Sequence, residues 1–217
     1  MRVLAIDIGG TNIKTKMRDT EERKTPSGPT LTASQMVDAV LNMTKDWQYD
    51  AVAIGYPGPV VHDKIAQEPH NLGPGWVGYD FARHFGKPVK ITNDAAMQAL
   101  GSYEGGRMLF LGLGTGLGSA LILDKSLAPM ELAHLPYRKG RTYEDYLGLR
   151  GLKKYGKKRW RKAVFDVVSR LKAALVVDYV VLGGGNARKL DELPDGARRG
   201  DNTHAFIGGY RLWEGIS

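Results

Sequence analysis

The chain has 217 residues and a mass of 23.8 kDa, which is enough to bury a core without disulfides or metal sites. Hydrophobic residues make up 42% and charged residues 25%, which excludes disordered and fibrous classes. No stretch reaches the ~18 consecutive apolar residues that a membrane helix needs, so no membrane partner is expected. Cysteine is absent, which excludes disulfide frameworks, thiolate zinc sites and cysteine nucleophiles. The N-terminal apolar run is interrupted by Asp7 and then glycines, so it does not fit a signal peptide, and a cytoplasmic location is expected.

The charge is unevenly distributed along the chain. Lys and Arg number 31 against 23 Asp and Glu, a net charge of +8. Residues 138–172 contain 13 basic and three acidic residues, a net charge of +10, whereas the rest of the chain sums to −2. A solvated helix face is the simplest interpretation, and a chain of phosphates is the ligand that such a surface could bind. Nucleic acid is disfavoured because a basic cluster with Tyr155 and Trp160 is no recognised binding motif.

The apolar patterns of the first half predict strands that alternate with loops and one helix. In chain order these are a strand over 3–8, a returning strand over 13–18, a strand remnant and loop over 21–32, a helix over 33–47, a strand over 51–55 and a loop over 62–78. Ser34 is the predicted N-cap of the helix. The loop is rich in Gly and Pro, which is typical of a surface or binding segment.

The second half repeats the same organisation. Its predicted elements are a strand over 89–92, a helix over 95–103, a hairpin over 108–123, a long helix around 160–174, a strand over 176–182 and a closing helix over 203–213. Strand, Gly/Thr turn and returning strand occur twice, which predicts two lobes of common design in an α/β fold. The predicted lobes are 1–92 and 93–202, and the segment 203–217 closes the chain.

Two glycine-rich turns are candidate phosphate sites. The first reads Asp-Ile-Gly-Gly-Thr-Asn over 7–12, and the second has four glycines within 112–118. Glycines allow the backbone to approach phosphate oxygens, and the exposed amides donate to them. Asp7 would hold Mg²⁺ through water, since Mg²⁺ takes few carboxylates and keeps its waters. Each turn alone is explained as a tight hairpin, but two such hairpins facing one another would clamp a phosphate chain.

Several polar residues are candidates for the remaining chemistry. Asn93 and Asp94 lie where a strand ends and a helix begins, so they are either helix caps or, for Asp94, a base that takes a hydroxyl proton. Glu131 and His134 would share one helical face and bind the hydroxyls of a polyol, although a solvated pair is the simpler interpretation. The other candidates are Asn71 and Trp76, as an amide and an apolar wall for a sugar, and Gly183, Gly184 and Gly185, as a surface for a flat base or a plain turn.

These motifs together resemble the ROK family of bacterial sugar kinases, within the actin, Hsp70 and hexokinase superfamily. The matching segments are DIGGTNIK at 7–14, GYPGPV at 55–60, NLGPGW at 71–76, NDA at 93–95, GLGTGLGSALI at 112–122, ELAH at 131–134 and LGGG at 182–185. Within the family, the chain is most similar to the polyphosphate/ATP glucokinases. The resemblance implies a two-lobed, actin-like (ribonuclease H-like) fold in which each lobe is a mixed sheet flanked by helices.

The resemblance also implies a role for each matching residue. Asp94 would be the general base, and the sugar would be bound by Asn71, Asn93, Glu131 and His134. The phosphoryl donor, ATP or polyphosphate, would be surrounded by Gly9, Gly10, Thr11, Lys14, Gly114, Thr115, Gly116, Gly183, Gly184 and Gly185. Asp7 would help to place Mg²⁺. The oligomeric state stays open, with a homodimer as the candidate because family members commonly dimerise.

The chain departs from the family pattern at two points. The usual Glu-x-Gly-His reads Glu131-Leu132-Ala133-His134, and the zinc-binding cysteines that normally follow are missing. We therefore expect no zinc and assign no metal to His134. The leading hypothesis is a kinase that phosphorylates a hexose, with glucose as the expected substrate. The alternatives are a non-catalytic sugar or nucleotide sensor with the same fold and a basic nucleic-acid-binding module.

Overall fold

The computed structural model describes residues 1–215. They form two compact units, one of residues 1–97 together with the chain from 205 onward, the other of residues 98–204. The last two residues of the predicted closing segment, 216 and 217, lie outside the described residues. No helix within 1–215 is both long and apolar enough to cross a membrane.

The strands and helices alternate along the chain. The strands are β1 (Val3–Ile8), β2 (Asn12–Lys16), β3 (Arg23–Pro26), β4 (Ala51–Tyr56), β5 (Val60–Val61), β6 (Lys64–Ile65), β7 (Val89–Asn93), β8 (Arg107–Leu113), β9 (Leu117–Leu123), β10 (Ser126–Met130), β11 (Pro136–Arg138), β12 (Arg141–Thr142), β13 (Tyr179–Gly183) and β14 (Ala197–Arg199). The helices are α1 (Ala33–Met43), α2 (Phe81–Phe85), α3 (Asp94–Ser102), α4 (Tyr143–Leu147), α5 (Leu149–Leu175) and α6 (His204–Glu214).

The two units contain sheets of the same topology. The first sheet has the order β3-β2-β1-β4-β7 and the second β10-β9-β8-β13-β14. In each sheet the first three strands in sequence form an antiparallel meander, and the next two are parallel to the first of them. The sequence prediction of a repeated strand–turn–strand design is therefore confirmed.

Helices cover both faces of the first sheet. On one face, α1 buries Met36, Val37 and Val40 among the side chains of β1 and β4, because these positions recur on one side of a helix. On the other face, α6 lies so close that a Cβ on Gly209 would come within 2.8 Å of the Ala5 Cβ. The sheet is therefore buried on both sides, which matches its nearly continuous apolar strands.

The N-cap of α1 differs from the prediction. Thr32, not Ser34, is the cap: its backbone is extended, its hydroxyl accepts a hydrogen bond from the Gln35 amide at 3.3 Å, and the Gln35 side chain accepts one from the Thr32 amide at 3.0 Å. This reciprocal pair satisfies two amides at once, which a cap at Ser34 would not do. Ser34 lies inside the helix and is exposed.

The long helix α5 covers the second sheet. Its buried residues include Trp160, Val164, Val167 and Leu171, which lie at helical spacing and pack on the apolar side chains of β8 and β13. The predicted helix is confirmed, and it begins earlier than expected. Gly156 interrupts it with φ 74° and ψ 160°, so that two helical segments meet at this residue.

Candidate functional site

The carboxyl ends of three strands meet at one edge of the first sheet. Asp7 on β1 pairs in register with Gly55 on β4, and the next residue of β4 pairs with Asn93 on β7. A Cβ on Gly55 would lie 3.5 Å from the Asp94 Cα. Asp7 and Asp94 therefore lie on either side of Gly55 at the same sheet edge.

The first glycine hairpin extends from this edge. The Gly9 amide donates to the Asn12 carbonyl at 3.0 Å, which closes the turn. Ser27 fixes the turn from outside, since its hydroxyl donates to the Gly9 carbonyl at 2.7 Å and its amide donates to the Thr11 carbonyl at 3.0 Å. Gly10 and Thr11 remain exposed at the tip. The turn is therefore an ordered, accessible backbone segment, as a phosphate site requires.

Asp7 is a partly buried residue of β1 close to the first hairpin. Burial raises the pKa of its carboxyl, whereas Lys14, its partner in register on β2, lowers that pKa and Glu22 raises it. Residues 1–215 contain no cluster of three or more His, Asp or Glu side chains that would enclose a metal ion. A single carboxylate next to an exposed glycine turn is compatible with Mg²⁺, which keeps several waters and takes few protein ligands.

Asn93 and Asp94 connect β7 to α3. The Asn93 side-chain oxygen accepts hydrogen bonds from the Ala95 amide at 2.9 Å and from the Ala96 amide at 3.2 Å, so Asn93 caps the helix. Its side-chain nitrogen donates to the Gly58 carbonyl at 3.1 Å. The Asp94 carboxylate accepts a hydrogen bond from the Ala95 amide at 2.7 Å. The cap interpretation is confirmed for Asn93, and the pair is fixed in position by its own backbone.

Asn71 lies next to the first hairpin, on an exposed part of the long Gly/Pro loop. A Cβ on Gly10 would lie 3.7 Å from the Asn71 Cβ. The structure therefore brings a residue expected to bind sugar beside one expected to bind the donor, and both lie in the first unit.

Trp76 does not form a wall for a sugar, and that prediction is wrong. Its ring is fully buried, packs against the rings of Tyr56 and Phe81, and donates a hydrogen bond from its indole nitrogen to the Gly73 carbonyl at 2.8 Å. An indole gains more by filling this core than by facing solvent.

Glu68, which the sequence analysis did not identify, holds the Asn71 loop. Its carboxylate accepts hydrogen bonds from the amides of Trp76, at 3.1 and 3.2 Å, and Val77, at 3.1 Å. Nothing in the local sequence distinguishes this glutamate from a solvated one.

The second glycine hairpin is held by three residues from other parts of its unit. The Asn186 side-chain nitrogen donates to the Gly114 carbonyl at 2.9 Å, and the Leu149 amide donates to the Thr115 carbonyl at 3.1 Å. The Glu144 carboxylate accepts from the Leu117 amide at 3.2 Å, and it lies so close to Gly116 that a Cβ there would collide with it. Sequence reasoning missed Glu144 and Asn186, because both act on the turn from a distance along the chain.

Gly183, Gly184 and Gly185 adjoin this second hairpin. A side chain on Gly183 would collide with the Phe110 ring. Gly184 has φ 78°, and a Cβ on it would lie within 2.8 Å of the Leu113 backbone. The structure thus accounts for the first two glycines by packing and backbone conformation. Only Gly185 is exposed with space around it, apart from the Arg188 guanidinium 3.9 Å away.

Glu131 and His134 lie together, as their spacing predicts. Glu131 precedes a 3₁₀ turn, Leu132–His134, and His134 ends it. Glu131 Oε2 lies 3.9 Å from His134 Nε2. Both side chains are exposed. The Ser119 hydroxyl fixes the turn to β9, because it accepts from the Leu132 amide at 3.1 Å and donates to the Met130 carbonyl at 2.8 Å.

Comparison with known proteins identifies the family. The sequence profile of the ROK family matches residues 3–129, more than half of the chain. The chain belongs to the ROK family. Polyphosphate glucokinase from Mycobacterium tuberculosis (strain ATCC 25177 / H37Ra) is 27% identical over 213 residues, which cover 86% of this chain and 78% of that protein. N-acetylmannosamine kinase from Pasteurella multocida (strain Pm70) is 31% identical over 146 residues, 58% of this chain and 48% of that protein.

A solved structure confirms the ROK fold. The crystal structure of inorganic polyphosphate/ATP-glucomannokinase from Arthrobacter sp. strain KM matches with a TM-score of 0.81 and 24% sequence identity, over 96% of each chain. This likeness, together with two mixed sheets flanked by helices, confirms the predicted α/β, actin-like fold class.

Proposed function

We propose that this protein, a phosphotransferase of the ROK family, is a hexose kinase that transfers a phosphoryl group from ATP or polyphosphate to glucose and forms glucose 6-phosphate. The observation that carries the proposal is the edge of the first sheet. There Asp7, the hairpin of Gly9, Gly10 and Thr11, and Asp94 lie at the ends of β1 and β7, which flank β4, and Asn71 lies beside Gly10. A carboxylate, a phosphate turn and a polar side chain for a sugar are the groups that this transfer needs.

Asp94 is the proposed general base. As the sugar's terminal hydroxyl oxygen forms a bond to the transferred phosphorus, the bond from that phosphorus to the donor oxygen breaks, and the hydroxyl proton passes to the Asp94 carboxylate. The hydrogen bond from the Ala95 amide orients this carboxylate. An oriented base places the proton acceptor before the reaction begins, which lowers the entropic part of the barrier.

The sugar and the donor would be held by separate sets of residues. We assign the sugar hydroxyls to Asn71, Asn93, Glu131 and His134. Asn93 already uses one hydrogen of its amide nitrogen on Gly58, so the second hydrogen is the one that would donate to the sugar. The donor phosphates are assigned to the two glycine hairpins, with Lys14, and a nucleoside end to Gly183, Gly184 and Gly185.

Mg²⁺ would be held by Asp7 through water and by donor oxygens. When bound, it neutralises charge on the phosphates, which assists the attack of the hydroxyl oxygen. Asp7 supports this role because its carboxyl group lies beside the first hairpin, whereas Lys14, its partner in register on β2, would contact the donor phosphates.

The relatives are named for different sugars, glucose and N-acetylmannosamine, so the acceptor has to be tested directly. The experiment is a matrix in which ATP and polyphosphate are each offered with glucose, mannose, fructose and N-acetylmannosamine, in the presence of Mg²⁺. We expect phosphorylation, with glucose giving the highest kcat/KM. Measurable sugar binding without turnover for every combination would contradict the proposal and favour a sensor. If kcat/KM were higher for N-acetylmannosamine than for glucose, N-acetylmannosamine would be the acceptor and the assignment of glucose would be wrong.

A further inference from the structure

A basic pocket adjoins the second glycine hairpin. It has a volume of about 490 Å³ and is lined by Thr115, Leu149, Arg150, Lys153 and Lys154. The four residues from α5 have the spacing i, i+1, i+4 and i+5, which places them on one side of a helix. The hydrogen bond from the Leu149 amide to the Thr115 carbonyl at 3.1 Å fixes this side of α5 against the hairpin. Three cationic side chains therefore border the pocket at the exposed tip of the turn.

The two lysines of this pocket carry charge that protein carboxylates do not neutralise. Arg150 forms an ion pair with Asp145, but within residues 1–215 no carboxylate lies within 4.0 Å of the Lys153 or Lys154 ammonium. The Lys154 ammonium lies over the Tyr155 ring, 5.6 Å from its centroid, which leaves its charge in place. Both lysines are exposed. Their charge is available to an anion that enters from solvent.

Farther along α5, several basic residues are paired. Lys157 contacts Asp191 at 2.8 Å, and Arg161 contacts Glu192 at 3.6 Å. These pairs reduce the positive charge of the middle of the helix. The high positive charge of residues 138–172 is thus partly neutralised beyond Gly156. The pocket beside Thr115 keeps two lysines that have no carboxylate partner among the described residues.

Gly156 separates the segment of α5 that lines the pocket, residues 149–155, from the rest of the helix. Its φ of 74° lies in the region that residues with a Cβ rarely adopt. The break allows residues 149–155 to follow the hairpin, while the chain after Gly156 packs on the sheet through Trp160. The orientation of the pocket wall therefore depends on a glycine that packing does not require, since no atom lies within 4 Å of where its Cβ would be.

We propose that this pocket is a subsite for phosphate groups of the donor that are not transferred, and that it favours linear polyphosphate over a nucleotide. The inference rests on the proposed function, which assigns donor phosphate to Gly114, Thr115 and Gly116. Beyond those residues, a polyphosphate chain continues as one negative charge after another, whereas a nucleotide continues as an uncharged sugar and base. Lysine ammonium groups bind phosphate as mobile point charges, so the pocket suits the first continuation better than the second.

The test compares two double variants of equal charge. Lys153→Gln/Lys154→Gln removes both unpaired cations of the pocket. Arg159→Gln/Lys162→Gln removes two exposed cations of the same helix that do not line it. We expect the first variant to lower kcat/KM for long-chain polyphosphate about tenfold and to change kcat/KM for ATP less than about twofold. The control variant should change neither by more than about twofold.

Salt dependence and direct binding provide readouts that do not depend on turnover. Each lost phosphate contact lowers the steepness of log affinity against log salt by about 0.7 to 1. Loss of two contacts should therefore lower the steepness for polyphosphate by about 1.4 to 2, in the first variant only. Polyphosphate binding is measured by calorimetry with tripolyphosphate and with a long chain. The long chain should bind more tightly to the unaltered protein, and this advantage should shrink in the first variant.

Three results would overturn the subsite: an equal loss for ATP and polyphosphate, an equal loss in the control variant, or unaltered protein that does not bind polyphosphate. Failure of the proposed function has a different signature, since the unaltered protein would then phosphorylate no hexose from either donor. In that case the calorimetric titration with polyphosphate still shows whether Lys153 and Lys154 bind the chain.

Discussion

Replacing Glu144 tests whether the second hairpin is shaped by a residue outside it. The carboxylate accepts a hydrogen bond from the partly buried Leu117 amide and packs against Gly116. Glu144→Ala leaves that amide without its acceptor, which costs about 1–3 kcal/mol. If this cost falls on the donor-binding conformation of the turn, kcat/KM for the donor should decrease about 5- to 150-fold. Glucose KM should stay within about twofold, because the assigned sugar residues lie elsewhere.

Glu144→Gln is the matched variant. Glutamine keeps an oxygen that can accept the Leu117 hydrogen bond, but it removes a negative charge next to the hairpin to which we assign donor phosphate. The donor KM of this variant should therefore equal or fall below that of the unaltered protein. Steady-state rates with the donor varied at saturating glucose measure both values, and thermal unfolding is recorded in parallel. Wild-type donor kinetics in Glu144→Ala, or equal losses for donor and sugar, would refute a positioning role.

Three further predictions concern the loop that carries Asn71, the pH dependence of stability at Asp46, and the C-terminal end of α5. Glu68→Ala should raise glucose KM and leave donor KM unchanged, because Glu68 holds the loop that carries Asn71; unchanged sugar kinetics would contradict this. The hydrogen bond from Arg23 lowers the pKa of Asp46 to about 2. The free energy of unfolding that Asp46→Asn loses should therefore be constant above about pH 5 and shrink as the pH falls below about 4. Denaturant unfolding at each pH measures this difference. A difference that grows at low pH would be inconsistent with this ion pair. Val176 is exposed and adopts a left-handed backbone conformation, φ 52° and ψ 46°, after α5. Because a residue with a Cβ is strained in this conformation, Val176→Gly should raise the free energy of unfolding by about 1 kcal/mol and Tm by about 2–4 °C. A lower Tm would contradict backbone strain at Val176.

The elements that the sequence predicts well are those whose signal is local. Both glycine hairpins, the strands beside them and the apolar face of α5 follow from alternation and helical spacing within short windows. The cap at Asn93 and the approach of Glu131 to His134 likewise involve residues only a few positions apart. These features are confirmed because nearby residues decide them.

Apart from the cap of α1, which Thr32 and Gln35 form within three residues, the features that the sequence does not predict depend on contacts between distant segments. Trp76 is buried because the rings of Tyr56 and Phe81 surround it, and a Gly/Pro-rich loop does not show this in its own composition. Glu68 and Glu144 hold the Asn71 loop and the second hairpin through backbone amides 8 to 27 residues away. A carboxylate that accepts from distant amides has the same local sequence as one that faces water.

The Asp94→Asn variant is the most direct test of the proposed phosphoryl transfer. Asparagine keeps an oxygen for the Ala95 hydrogen bond but cannot take the hydroxyl proton. Glucose binding is measured by calorimetry, and formation of glucose 6-phosphate is measured with Mg²⁺ and the donor that the unaltered protein uses best. We expect the dissociation constant for glucose to change less than about threefold and kcat to fall by about 10²- to 10⁴-fold. Turnover retained within a few-fold of the unaltered protein would contradict the assignment of Asp94 as the general base.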